Sequence, residues 1–198
     1  MVEKRVPGRP NRKAEIVAAT EALVRKHGVG GVTTKGIAAA VPCSEGAIYV
    51  HFKDRLELFL AVLQESLPAM AVPLRALEMK VGQGDARRNL ETALVGLERF
   101  HERVAPMLCS MMGEPELLRR FRASLHDEGK GPNKGIATLG KYIEQEQKLG
   151  RIAKSVNAMS AAQILMASSF FHVFTICLMD RGGKFDVKGL VESVFGPR

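Results

Sequence analysis

Residues 32–59 read VTTKGIAAAVPCSEGAIYVHFKDRLELF, and two short helices joined by a tight turn are legible in them. Thr33 is a good N-cap for a helix that carries Ile37, Ala38 and Val41 inward. Pro42 ends it, because proline disfavours helical geometry in the residue before it and donates no backbone hydrogen bond. Ser44 caps the next helix, which runs to about Phe52 and has Ala47, Ile48 and Phe52 for its buried side. A longer helix begins near Asp54, with Leu56, Phe59, Leu60 and Leu63 as its apolar stripe. Upstream, Ile16, Ala19, Thr20, Leu23 and His27 recur at helical spacing, and Gly28 follows as a stop. A helix followed by two short helices across a tight turn is the helix-turn-helix arrangement, in which the last of the three lies in the DNA major groove. The first residues of that helix are free of bulky apolar side chains, as a surface against DNA requires.

Charge agrees with a polyanion partner. The chain has 198 residues and a net charge of +8. Residues 1–55 hold ten Lys and Arg against five acids, so this segment is +5 and the remaining 143 residues supply +3. A basic N-terminal third is the electrostatic footprint of nucleic-acid binding, although a merely solvated basic surface has the same composition. Residues 1–10, with Pro7, Gly8 and Pro10 among basic side chains, read as a flexible basic arm.

The residues Val32-Thr33-Thr34-Lys35-Gly36-Ile37-Ala38 and Ser44-Glu45-Gly46-Ala47-Ile48-Tyr49-Val50-His51-Phe52-Lys53-Asp54-Arg55 resemble the TetR family of bacterial regulators. The pattern T-x-x-x-I-A, then S-x-G-x-[IL]-Y-x-H-F, then a basic residue three after that Phe, is highly specific. It covers roughly residues 11–65. The resemblance implies an all-α fold, with a three-helix DNA-binding head at residues 1–55 and a larger helical body for ligand binding and dimerisation at 56–198. It also implies a homodimer on a palindromic double-stranded DNA operator, and repression relieved by a small apolar or amphipathic effector. Thr34 and Lys35 then meet phosphate at a helix N-terminus. Ser44, Glu45 and Ala47 come within reach of base edges, and Gly46 lets the backbone approach DNA closely. Tyr49 and His51 offer hydrogen bonds to phosphate, and Arg55 takes the place of a lysine that contacts phosphate in the family. Two positions depart from the pattern: Pro42 stands where a turn glycine is usual, and Gly36 stands where an acidic residue completes a capping box.

The rest of the chain is punctuated by breaks expected at residues 68–73, 82–85, Pro106, 113–115, 129–132, Gly150 and 182–183, with helical periodicity between them. The longest apolar stretch, 164–179, is interrupted by Ser168, Ser169, His172 and Thr175. It reads as a buried helix rather than a membrane span. Helices over 155–180 and 186–195 are the expected dimer interface, a four-helix bundle of two helices from each subunit. His101, Met107, Met112, Phe121 and Phe170 are the candidate effector-lining residues, since methionine and aromatic side chains suit adaptable apolar pockets. Core filling is the ordinary use of the same residue types.

Three widely spaced cysteines, Cys43, Cys109 and Cys177, speak against a disulfide framework and for a reducing cytoplasm. His172 and Cys177 are five apart, about 140° around a helix, so they share no face for a metal. Neither a phosphate-cradling loop nor a nucleophile elbow is present. Metal, cofactor and enzyme chemistry are therefore not expected. The competing class is a helical oligomeric binding module without sequence-specific DNA binding, which leaves the pattern at 44–56 unexplained.

Overall fold

The computed structural model describes residues 11–127, 132–179 and 182–196, and among these there is no strand. The expected basic arm lies outside the described residues. The chain divides into two compact units, Met1–Val62 and Leu63–Arg198.

The first unit holds α1 (Arg12–His27), α2 (Thr34–Ala40), α3 (Glu45–His51) and most of α4 (Arg55–Ser66). Each boundary has a local cause. Gly28, at φ 69°, caps α1 in a conformation that costs a glycine little. Thr33 accepts from the Gly36 N–H at 3.0 Å, and Ser44 accepts from the Ala47 N–H at 3.2 Å. Asp54 accepts from the Glu57 N–H at 2.7 Å, and the Glu57 carboxylate accepts from the Lys53 N–H, a reciprocal cap that starts α4. Pro42 is accommodated without a glycine. Val41 is extended (φ −115°, ψ 96°), and the neighbouring N–H groups close the turn, Val41 to the Ile37 carbonyl at 3.0 Å and Cys43 to the Ala38 carbonyl at 3.3 Å. Ile16, Val24, Ile37, Ile48, Phe52, Leu58 and Phe59 form the buried centre.

The second unit holds α5 (Pro68–Glu78), α6 (Ala86–Met111), α7 (Pro115–Asp127), α8 (Pro132–Lys148), α9 (Ala158–Met179) and α10 (Val187–Phe195). The break expected over residues 68–73 falls at its start, between α4 and α5, and Pro73 lies inside α5; the break expected at Pro106 does not occur, and that proline lies inside α6. Each removes one backbone hydrogen bond, but the buried faces run through both. Phe100, His101, Val104, Ala105, Met107 and Met111 keep α6 continuous, and Pro73 packs on Gly96, where a Cβ would lie 2.6 Å from the proline ring.

Helix directions follow from the contacts. The turn after α5 sends α6 back along it. Gly135 near the start of α8 faces Met70 and Leu74 of α5, while Glu146 near its end accepts from the Gly82 N–H at 2.9 Å. Thus α8 runs with α5 and against α6. Gly140 faces Ala158 and Met159, and Gly135 faces Met166, so α9 runs against α8 and parallel to α6. Glu146 is fully buried and pairs with the Arg151 guanidinium at 2.7 Å, which balances its charge.

The apolar stretch read as interrupted folds as the 22-residue α9, which is long and apolar enough, by length and composition, to cross a bilayer (mean hydropathy 1.7). The segment Arg55–Glu78 passes the same test. In the fold, Ala161, Ala162, Leu165, Met166, Ser169 and Val173 of α9 are buried, while Ile164, Ala167 and Phe171 face out.

Candidate nucleic-acid interface

The side chains of α3 separate into two sets at helical spacing. Ile48 is buried and Phe52, the C-cap, is 2% exposed; together they hold the helix against the head. Lys13 of α1 lies over the Phe52 ring at 5.5 Å and ties the far end of α3 to the first helix. The opposite face carries Glu45 and Tyr49, four apart, and Gly46 and Val50, four apart, all exposed. Tyr49 is 51% exposed and Val50 is 79% exposed. Val50 was not singled out from sequence. Its signal was available, since it lies one helical turn beyond Gly46.

The sequence-derived candidates fall into three groups. Ser44, Glu45, Gly46, Ala47 and Tyr49 lie together on or beside the outward face of α3, and Lys35 is exposed on α2. A Cβ at Gly46 would meet only the Ser44 hydroxyl, at 3.8 Å, so nothing inside the head requires glycine there. Thr34 and Glu45 are joined to each other: the Thr34 hydroxyl donates to the Glu45 carboxylate at 2.7 Å across the turn. His51 is half-buried, its ring edge-on to Phe52 with centroids 6.5 Å apart. Arg55 has a different environment from the one expected. Its guanidinium donates to the Val29 carbonyl, lies 4.9 Å from the centre of the Phe59 ring, and leaves a buried Nε without a partner. The first turn of α4 faces the turn after α1, and the Arg55 guanidinium reaches back to it.

In the second unit, His101 is buried, with Nδ1 2.9 Å from the Ser169 hydroxyl and the Phe170 ring edge-on at 5.5 Å. Burial lowers its pKa to about 4, so the ring is neutral at ordinary pH. Met107 and Phe121 are buried. Met112 stands apart: it follows the end of α6 and is 73% exposed. Two clefts are also present. One, of about 400 Å³, lies between α5 and α8 and includes Met70, Leu74, Arg75 and Lys134. The other, of about 520 Å³, includes Arg88, Val95, Lys184 and Phe185. Neither is lined by the five residues chosen from sequence. Among the described residues no group of three His, Cys, Asp or Glu side chains is placed to hold a metal ion.

The family model described as bacterial regulatory proteins, tetR family, matches residues 16–62. The nucleoid occlusion factor SlmA of Marinobacter nauticus is 31% identical over 159 residues, 78% of this chain and 75% of SlmA. The HTH-type transcriptional repressor AcnR of Corynebacterium diphtheriae is 37% identical over 60 residues, 30% of this chain and 32% of AcnR. Among solved structures, SmeT in complex with triclosan is similar in fold, with a TM-score of 0.63 at 20% identity over 93% of this chain and 91% of SmeT. SmeT is the repressor of the Stenotrophomonas maltophilia multidrug efflux pump SmeDEF.

Proposed function

Since the chain belongs to the TetR family of bacterial regulatory proteins and is a helix-turn-helix transcriptional regulator, we propose that it is a cytoplasmic repressor, bound as a homodimer to a palindromic operator and released by a small apolar or amphipathic effector. The observation that carries the DNA reading is the outward face of α3, exposed at Glu45, Gly46, Tyr49 and Val50 and anchored from behind by Ile48 and Phe52. Tyr49 and His51 donate to phosphate and fix the register, and Lys35 adds charge. Glu45, aimed by Thr34, accepts from a cytosine amino group, and Ala47 and Val50 meet thymine methyls. Arg55 acts indirectly, by holding the start of α4 against the α1–α2 turn. Gly46 costs up to about 1 kcal/mol in the helix and brings the backbone close to the duplex.

Residues 1–55 form the DNA-binding domain and 56–198 the effector and dimerisation domain. The exposed face of α9 with α10 forms the bundle between subunits. The effector lies among α6, α7 and α9, with His101 and Ser169 as polar anchors and Met107, Phe121 and Phe170 as apolar wall. The repressor AcnR and the triclosan complex of SmeT support these two parts of the reading. Selection of bound duplexes from a random library tests it. One palindromic motif should emerge, with affinity falling steeply with salt. Failure to enrich any motif would leave the oligomeric binding module as the better account. The match to SlmA across both units carries a second reading, nucleoid occlusion. Mapping bound sites in cells separates the two, since a repressor occupies few promoters and an occlusion factor many dispersed sites.

A further inference from the structure

The cleft between α5 and α8 has no part in the function proposed above. At about 400 Å³ it falls within the size range of small-ligand pockets. Its cause lies in the sequence, because the two helices meet there at Ala71 and Gly135, which have little or no side chain. A Cβ at Gly135 would lie 2.7 Å from the Met166 methyl and 3.3 Å from the Met70 sulfur. The α8 backbone therefore comes down onto Met70 and Leu74, which make an apolar floor. The cleft is long in one direction. On α5 its lining runs from Leu67 to Glu78, about 16 Å along the helix. Its two ends differ in chemistry: Leu67, Pro68 and Ala71 make one end apolar, and Arg75 and Glu78 stand at the other. Since α8 runs with α5 and Gly135 faces both Met70 and Leu74, Thr138 comes level with Arg75, and Lys134 with the turn before. The Arg75 guanidinium, the Lys134 ammonium and the half-buried Thr138 hydroxyl make no hydrogen bond or ion pair among the described residues. Lys134 also lies in the first turn of α8, at the positive end of the helix dipole. One carboxylate, Glu78, stands against these groups, so the polar end favours an anion.

We propose that this cleft binds an aliphatic carboxylate, its chain laid along α5 toward Leu67 and its carboxylate held by Arg75, Lys134 and Thr138. The guanidinium fork matches a carboxylate in shape and charge. Met70, unbranched and polarisable, adapts to the chain. A bare anion would leave the apolar floor uncovered, and an uncharged apolar molecule would leave both cations unused; a chain with one anionic end uses the whole cleft. The site is separate from the effector position among α6, α7 and α9, and it does not depend on DNA binding.

The test titrates the full-length protein, without DNA, with octanoate by calorimetry, and with 1-octanol and octylamine as chains of the same length and different charge. Spectra of protein carrying labelled methionine methyl groups locate the occupant. Octanoate should bind saturably, about tenfold or more tighter than either companion. Arg75→Gln and Lys134→Gln, both exposed changes, should each weaken octanoate by about tenfold, and Glu78→Gln should tighten it. Ala71→Leu fills the apolar end and should abolish binding with no loss in the thermal melt. The Met70 methyl should shift and the Met107 methyl should not. A shift at Met107 with Met70 unmoved puts the chain in the other pocket and overturns the assignment. Equal affinity for 1-octanol, binding indifferent to the two glutamine changes, or no binding of octanoate overturns it as well. A protein that binds no operator would instead refute the proposed function, and the octanoate titration would still decide this site.

Discussion

Replacing Tyr49 with Phe isolates one atom of the proposed interface. The ring is 51% exposed, and the hydroxyl has no hydrogen-bond partner among the described residues. The free protein therefore loses nothing it uses, and its stability should change by no more than about 0.5 kcal/mol. On DNA the hydroxyl donates to a charged phosphate oxygen, a bond worth about 1.5–3 kcal/mol. A homodimer makes it twice, in half-sites far enough apart to add, so the operator complex should weaken by about 3–6 kcal/mol. The group is uncharged and releases no counterion, so the slope of log K against log salt should stay as it was. Because phosphate contacts carry no base information, every sequence in a small operator library should weaken by a similar factor. Fluorescence anisotropy across salt concentrations, with thermal melts and sedimentation on the same samples, measures all of this. His51→Ala is the companion variant, and its melt should fall slightly because the ring also packs on Phe52. Unchanged operator affinity in both variants, with folded dimers confirmed, would take α3 off the DNA and refute the reasoning.

Thr34→Val removes the donor that aims Glu45, and should alter base preference at one position of each half-site by about 1–3 kcal/mol, read by the same library. Unaltered preference would mean that Glu45 reads no base. Ala167→Glu places a charge on the exposed face of α9 and should give monomers with weak DNA binding; a dimer by sedimentation would place the interface elsewhere. Deleting residues 1–9 should lower affinity for all sequences alike and flatten the salt dependence, checked by binding at 50 and 200 mM salt. Burial lowers the His101 pKa to about 4, so the folded state binds fewer protons than the unfolded one below its ordinary value of 6.5. Stability should therefore fall as pH drops from about 6.5 to 4, by roughly 3 kcal/mol at most, and His101→Gln should flatten that part of a urea-melt pH profile.

The head was legible because short-range chemistry decides it. Gly28, Thr33 and Ser44 act within four residues of themselves, and each was found at the helix end where its side chain or backbone freedom placed it. Arg55 was not legible, since its direction depends on the Val29 carbonyl, 26 residues away. The Thr34–Glu45 bond has the same character: both residues were identified, but their partnership crosses a turn whose geometry Pro42 sets. Pro73 and Pro106 mark where local rules mislead. A proline predicts a helix end only when nothing else holds the helix, and here buried faces on both sides do.

The body resists reading for a different reason. A helix that is apolar on every side, as α9 nearly is, has no periodicity to say which side is inside. Ile164 and Leu165 are neighbours of equal hydrophobicity, yet one is exposed and the other buried. Effector-lining residues chosen by type alone therefore mix core with surface: Met107 is sealed in, and Met112, five residues on, faces solvent. What separates them is helix direction and register, and these come from contacts distant in sequence, such as Gly135 with Met166 and His101 with Ser169. Polar residues inside apolar runs were the one long-range signal available. Ser169 interrupts such a run, and His101 stands on the buried face of α6 between Leu97 and Val104; each is costly to bury alone, and they satisfy that cost on one another. A buried polar residue without a local partner is thus a pointer to another element, and pairing such residues recovers the packing that periodicity cannot show.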